Sequence, residues 1–549
     1  MLAPLLIAAS LLFLSYLYRQ LRFKRFSKYA SLPQLPNSLL LGHLGKLGEY
    51  MKRGPADVHP DTMFTNMHND LSRPPLMMVD LWPLNRPTAV ITSHELAEQI
   101  TRPSKMFATS TPKNDMGYLE PLIGSSSILA AHGEKWKGLR RRFTAGFAPS
   151  HLMTLLPLMA EKTGAFIDAL DTYAQTGQVF GLVSNITSLT FDIIGAVVIG
   201  VDLGAQSESD DNNELLRLFR ALLATFSDDK TDYPWWLIPH IKIRRNRLGR
   251  QIDHILREIV RKKWADRQQA KSSSREKSLR DRSILSLSLD EYGDQIELSE
   301  KQINETGDQL KTFLLAGHDT TSTAISWVFY ELTRTPQALQ AVRAELDAIF
   351  GPDTAPDKVL AQLLSPPQPG TQHPIHRMTY ISAVIKEAFR VHPSSGSARE
   401  PPDGSRYTVR APDGTEHCLN GTIIYICHTI IQRDRSVFGS SADDFVPERW
   451  LDERAAEYPA SAWRPFERGP RACIGQEFAN IEIKVIIAMA ARRYDFVKVG
   501  LGELVLDDQT GEPKLGEDGQ YLVKSELYKT RQVIAKPVDG MRMKVKLAS

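Results

Sequence analysis

Residues 295–335 carry the pattern of one unbroken helix, and no other stretch constrains the fold as strongly. Ser299 with Gln302 makes a capping box, in which each side chain satisfies a backbone N–H of the other at the helix start. Pro336 closes the pattern, because proline lacks the N–H that would continue the ladder. Helical patterns dominate from about residue 134 to 395. Short β-like runs such as Pro87–Thr92 come before them, and short strands return after about residue 500. The chain therefore reads as mainly α with small β-sheets. Two polar stretches, Gln268–Ser283 and Ser365–Pro374, read as loops, and Asp507–Gly511 and Gly516–Gly519 as turns.

The middle of the long helix breaks its own rules. Ala316, Gly317, His318, Asp319, Thr320 and Thr321 follow one another where Phe313, Leu314, Leu315 and Ile325 make the helix most apolar. Glycine costs about 1 kcal/mol relative to alanine in a helix interior. A local rule broken inside an otherwise good helix marks a functional position.

Charge and cysteine usage exclude several classes. The net charge is +3 over 549 residues, so no whole-chain field argues for nucleic acid. Three cysteines, Cys418, Cys427 and Cys473, are too few and odd in number for a disulfide framework. They form no Cys-x-x-Cys pair of the structural-zinc kind.

The N-terminus predicts a membrane anchor. Leu2–Tyr18 is almost wholly apolar and would span about 26 Å as a helix, slightly short of a ~30 Å hydrocarbon core. Arg19, Arg22, Lys24, Arg25 and Lys28 follow it and no basic residue precedes it. That asymmetry places the C-terminal side in the cytosol and argues against a cleaved signal. The expected division is a transmembrane anchor over 1–18, a basic, proline-containing linker over 19–47 and a catalytic domain over 48–549. A second apolar run, Tyr233–Pro239, followed by Lys242, Arg244 and Arg245, suits either loop packing or a shallow membrane contact.

Five motifs in order carry a family resemblance. Phe466–Gly475 matches the haem-ligand signature Phe-x-x-Gly-x-Arg-x-Cys-x-Gly of the cytochromes P-450. Ala316–Thr321 resembles that family's oxygen-activation motif. Glu387–Arg390 is similar to its Glu-x-x-Arg, Pro447–Trp450 to its Pro-Glu-Arg-Phe/Trp element, and Trp136–Arg140 to its Trp-x-x-x-Arg. The local style is similar to filamentous-fungal enzymes of secondary metabolism. Glu467 departs from the pattern, standing where many relatives carry glycine.

The resemblance implies the cytochrome P-450 fold: one large haem-binding domain behind an N-terminal transmembrane helix. It implies haem b as cofactor, with the Cys473 thiolate as axial iron ligand. Phe466, Gly469 and Gly475 would shape the loop under the macrocycle. Trp136, Arg140 and Arg471 would hold the propionates, with Arg399 a third arginine candidate. Ala316 and Gly317 would border the haem, Gly317 leaving room for O₂. Asp319 and Thr320 would deliver protons as an acid–alcohol pair. Glu387, Arg390 and Arg449 would form a buried structural network. Cys418 and Cys427 have no such surroundings and read as inert.

The implied function is O₂-dependent monooxygenation, an oxidoreductase activity of the EC 1.14 class. A lipophilic small molecule would be hydroxylated, epoxidised or desaturated, in secondary-metabolite biosynthesis. Electrons would come from NADPH through a separate cytochrome P-450 reductase, with cytochrome b5 as a further possible donor. Lys135, Lys137, Arg140, Arg141, Arg142, Arg464 and Arg468 would form a basic docking face for it. Membrane lipid is the other implied partner, and nucleic acid is not one. The implied location is the endoplasmic reticulum membrane, single-pass, with the catalytic domain cytosolic. An O₂-independent haem-thiolate isomerase or dehydratase, a fatty-acid or xenobiotic hydroxylase and a non-catalytic haem sensor remain as alternatives.

Overall fold

The computed structural model describes residues 2–207, 213–226, 238–272, 282–293, 295–367, 369–532 and 534–548. The run Tyr233–Trp236 and its neighbour Leu237 lie outside them. Two compact units share the chain. The first comprises Met1–Asn114, Gly396–Asp434 and Ala460–Ala472; the second comprises Asp115–Ser395, Arg435–Pro459 and Cys473–Ser549.

Small strands are paired within each unit. In the first, β1 (Leu76–Val79) pairs antiparallel with β2 (Thr88–Ile91). Farther along the chain come β3 (Phe180–Gly181), β4 (Ser397–Arg399), β5 (Thr408–Arg410), β6 (Glu416–Cys418), β7 (Ile423–Ile426), β8 (Tyr494–Lys498) and β9 (Arg542–Leu547). The first unit's main sheet has the order β1-β2-β7-β4, with β2 and β7 parallel. Every residue of β1 and β2 is buried, as expected of a sheet covered on both faces. Cys427, just past β7, is wholly buried with Met67, Met77 and Val90, the environment of an inert core cysteine. The second unit's sheet has the order β3-β9-β8.

Six helices matter for the site: α1 (Leu2–Arg22), α2 (Gly133–Thr144), α3 (Leu182–Ile194), α4 (Glu300–Arg334), α5 (Thr379–Val391) and α6 (Gln476–Ala490). The helix α4 is capped by Ser299, with both halves of the expected capping box formed, and ends at Arg334, two residues before Pro336. It starts five residues later than the sequence pattern suggested, because cap geometry rather than periodicity sets the boundary. Its 35 residues extend about 52 Å.

The helix α1 also runs four residues past the predicted Tyr18, through Arg22. Its 21 residues reach about 32 Å, which closes the shortfall against the hydrocarbon core. The apolar side chains from Leu5 to Leu17 are all exposed. The other helical stretch of comparable apolarity, Leu182–Ile199, is mostly buried and belongs to the core.

Candidate active site

Between residues 309 and 332, only Ala316, Gly317 and Thr320 of α4 are not buried. These positions share a face, since residues four apart lie one above the other on a helix. The helix α4 therefore opens at the segment that the sequence singled out. The Thr320 hydroxyl donates to the Ala316 carbonyl at 2.7 Å. The Ser322 and Thr323 hydroxyls donate to the Asp319 carbonyl at 3.2 and 2.9 Å. Side-chain hydroxyls thus compete for carbonyls that the helical ladder would otherwise hold alone.

Gly317 also has a packing role that the sequence did not show. A Cβ there would lie 2.4 Å from Ile194 Cδ1. The glycine permits close approach of α3, because Ile194 occupies the place a Cβ would take. The sequence could not reveal this, because Ile194 is 123 residues away and is brought alongside only by helix packing.

His318 is wholly buried against Phe191, with ring centroids 3.9 Å apart. Its Nδ1 contacts the Leu314 carbonyl at 2.6 Å, so that nitrogen is the donor. Desolvation pushes its pKa down from 6.5 to about 4. Below pH 6.5 the unfolded chain takes up a proton that the folded one refuses until about pH 4. Stability is therefore lost as the pH falls through that window. His318→Phe is expected to remove on the order of 3 kcal/mol of the difference in unfolding free energy between pH 7 and pH 4, measured by urea denaturation.

The acid of the pair has a partner that the sequence did not reveal. Lys536 Nζ lies 2.5 Å from Asp319 Oδ1. The Asp319 side chain is 6% exposed and that of Lys536 21%, so the ammonium links a buried carboxylate to solvent. Lys536 sits 217 residues away in a turn where Thr530 N–H donates to its carbonyl at 2.7 Å. No local motif marks it, and only the tertiary fold could find it.

Cys473 is solvent-exposed and lies just before Gly475, the N-cap of α6. Thiolates are favoured at the positive end of a helix. A Cβ on Gly475 would lie 3.9 Å from Cys473 Sγ, ordinary contact, and its φ of −91° is open to any residue. The backbone itself therefore makes no demand for glycine at 475. On α2, Trp136 is buried and Arg140 lies one turn on. Both line a cavity of about 480 Å³ together with Lys137, Arg141, Thr144 and Ala145. Burial pushes the Arg140 guanidinium down, and the charge of Cys473 opposes that shift. A cavity of about 750 Å³ near the C-terminal sheet, lined by residues such as Phe329, Tyr494 and Phe496, includes none of the predicted site residues.

In the first unit, Gly469 does require glycine. Its φ is +76°, and a Cβ would stand 2.2 Å from the Thr101 carbonyl oxygen. Glu467 also takes a positive φ, +55°, which explains why glycine suits this position. Its carboxylate is held by Arg464, whose Nη2 donates to Oε1 at 2.5 Å. Burial alone would raise the Glu467 pKa, but His428 and Arg464 hold it well below the usual carboxylate range. A buried ion pair thus fixes a backbone conformation that glycine adopts without help. Phe466 and Arg471 flank this turn and are partly buried.

Arg399, at the end of β4, is wholly buried. Among the described residues, none accepts a hydrogen bond from its Nε, Nη1 or Nη2. An unsatisfied buried guanidinium is costly, and its planar fork matches a carboxylate. Within the second unit, the Cys473 thiol and the Trp136–Arg140 pair make a donor set that fits haem: a soft ligand for iron and a cationic fork for a propionate.

The expected basic docking face is smaller than the sequence suggested. Arg464 is fully buried, and Arg142 is buried with Tyr292, Glu305 and Thr306 as partners. Lys135, Lys137 and Arg141 of α2 remain exposed, with Arg140 partly so.

Glu387, Arg390 and Arg449 come together as expected, each at most 3% exposed. Glu387 accepts from Arg390 Nε and Nη2 at 2.8 Å, Arg449 Nε and Val446 N–H at 2.9 Å, and the Trp450 indole at 2.8 Å. Arg390 and Arg449 spend their remaining donors on the carbonyls of Ala442, Asp444 and Ser441. The network ties α5 to the segment 441–450.

With the fold and these clusters in place, the chain belongs to the cytochrome P-450 family, whose profile matches residues 40–510. It is accordingly an oxidoreductase of the haem-thiolate monooxygenase class. Cytochrome P-450 monooxygenase acrF of Aspergillus aculeatus is 34% identical over 470 residues, covering 81% of this chain and 89% of the relative. Cytochrome P-450 monooxygenase polC of Polytolypa hystricis is 30% identical over 505 residues, 88% of this chain and 84% of the relative. The solved cytochrome P-450DA heme domain superposes with a TM-score of 0.70 over 94% of this chain and 97% of that one, at 17% identity.

Proposed function

We propose that Cys473 is the axial thiolate of a haem b and that the chain oxygenates a lipophilic small molecule with electrons from an NADPH-dependent reductase. The observation that carries this reading is the placement of Cys473 at the head of α6, inside a segment that matches the haem-ligand signature. Bound haem supplies the iron chemistry that splits dioxygen, favoured by electron donation from a thiolate.

The chain's own residues do the rest. Arg399, Arg140, Arg471 and Trp136 bind and orient the propionates, with Gly469 and Phe466 holding the loop. Thr320, whose own proton is given to the Ala316 carbonyl, keeps lone pairs free to hold an ordered water. Asp319 accepts a proton at Oδ1 from the solvent side through Lys536 and passes it toward that water. The retained acid–alcohol pair favours oxygenation over O₂-independent isomerisation. The anchor α1 holds a cytosolic catalytic domain, over residues 48–549, on the endoplasmic reticulum membrane. The exposed cations of α2 are suited to an acidic reductase surface. The two fungal monooxygenases similar to this chain support monooxygenation, and the local sequence style around Cys473 is what favours a role in secondary-metabolite biosynthesis.

The test begins with a spin-state titration of polyketide, terpenoid, fatty-acid and aromatic compounds. The best binder is then turned over by the reductase-reconstituted holoenzyme. Thr320→Ala is expected to keep haem and NADPH consumption while product per NADPH falls roughly ten-fold or more and peroxide rises. Lys536→Met should move the same ratio in the same direction, and Lys536→Arg should restore it. Unchanged coupling in Thr320→Ala would remove the relay.

A further inference from the structure

Glu467, which departs from the family pattern, combines a left-handed backbone at φ +55° with a side chain only 7% exposed. Both features cost free energy, since a non-glycine residue is strained at positive φ and a carboxylate resists leaving water. Glycine would avoid both. The carboxylate is held firmly. Its Oε1 accepts from Arg464 Nε at 2.9 Å, from Arg464 Nη2 at 2.5 Å and from the Arg468 N–H at 3.2 Å. Its Oε2 faces His428 Nε2 at 3.6 Å.

Neither the turn nor Arg464 requires a glutamate here. The Glu467 N–H donates to the Arg464 carbonyl at 2.9 Å and the Ala472 N–H to the Gly469 carbonyl at 3.0 Å, bonds that a glycine at 467 would keep. Arg464 has a second counter-charge, because its Nη1 donates to Glu98 Oε2 at 2.8 Å. What glycine cannot supply is the negative charge. Without it, Arg464, Arg468 and Arg102 of the first unit would share Glu98. Arg399, fully buried, would also lose the carboxylate whose field favours its charged form. A strained and desolvated group kept where a cheaper residue fits marks a functional position.

We propose that the buried Glu467 carboxylate acts through its field on the haem bound by Cys473, holding the ferric–ferrous couple at a lower potential than glycine at this position would. This rests on the ligand reading of Cys473 given above. Six residues of chain lead from Glu467 to Cys473, no more than about 21 Å even if fully extended. Positive φ at both Glu467 and Gly469 turns that chain rather than extending it. Over such a distance, in surroundings that exclude water, an anion is screened far less than at the surface. Reduction adds one electron to the iron centre, so it makes that centre more negative by one charge, and a fixed anion opposes it. Arg464 weakens the field without cancelling it, because its own charge is shared with Glu98. The three donors on Oε1 keep the charge in one place.

The test is the midpoint of the ferric–ferrous couple, measured by spectroelectrochemistry on the full-length holoenzyme without substrate. Spectra of each reduced variant under carbon monoxide verify that the thiolate ligand is retained. Glu467→Gly and Glu467→Gln are each expected to raise the ferrous-to-ferric ratio at a fixed potential about ten-fold, which is about 59 mV for a one-electron couple. Glu467→Asp, which keeps the charge, should stay within about two-fold of the native ratio. The shift should persist at high salt, because the carboxylate is buried. A role in the turn alone predicts the reverse order, with Glu467→Gly at the native midpoint, and that result overturns the proposal. A shift that vanishes at high salt belongs to surface charge and also overturns it. Should Glu467→Gly not retain haem, Glu467→Gln decides, and a native midpoint there is fatal to the proposal. Native protein that shows no thiolate band overturns the Cys473 reading and the tuning role with it.

Discussion

Cys473→Ser is expected to abolish the absorption band typical of thiolate-ligated haem when the protein is reduced under carbon monoxide, and to reduce NADPH-dependent product formation to background. An alcohol is a weak iron ligand that stays protonated near neutral pH, so the electron donation that favours O–O cleavage is lost. Cys418→Ser and Cys427→Ser serve as controls. Cys418 ends the two-stranded β5–β6 ribbon, and Cys427 is sealed in the core of the first unit. Both should keep the band, although Cys427→Ser will lower stability by burying a hydroxyl. A native band in the Cys473 variant would remove the ligand assignment outright.

Glu387→Gln is expected to produce the largest loss of stability. The native carboxylate receives five donors from Arg390, Arg449, Val446 and Trp450, with no exposure to water. Neutralising it leaves two guanidinium groups buried without a counter-charge, and one amide face presents donors to donors. Breaking a buried pair in this way costs about 3–5 kcal/mol. Domains are stable by only ~5–15 kcal/mol, so the variant should accumulate little folded, haem-loaded protein. Urea denaturation, with haem absorbance per protein as second readout, measures the effect. Replacing Glu387, Arg390 and Arg449 together with apolar residues should cost less per site than the single change, because no charge is then stranded. Near-native stability of Glu387→Gln would show that the network is not what holds α5 to segment 441–450.

The parts of the site that follow local rules were legible in the chain. The capping box at Ser299 and Gln302 and the stop at Pro336 depend on neighbouring residues, and both formed as read. Glu387 and Arg390 lie three apart on a helix, so their pairing was forced once a helix was assumed. The broken pattern at Ala316–Thr321 was visible because it violates helical propensity. It coincides with the one stretch of α4 between residues 309 and 332 that is not sealed.

Other features were illegible for a common reason. Lys536 near Asp319, Ile194 against Gly317 and the burial of Arg464 and Arg399 each join residues far apart in sequence. A lysine or arginine looks the same in sequence whether solvated or sealed. The basic docking face was overestimated because charge can be counted from the chain but exposure cannot. The linker at 19–47 was read from its prolines and charges, which describe composition, whereas the burial of Arg25 needs Asp80 and Trp82 from another part of the chain.

Sequence alone determined the class of this protein. The spacing of a thiol, two glycines and an arginine within ten residues is a covalent fact, and so is an apolar run followed by cations. Tertiary structure decided which charges are buried, which glycine makes room for which neighbour, and what holds the acid at Asp319. Those outcomes depend on desolvation and long-range packing, whose energies arise only when distant segments exclude water from one another.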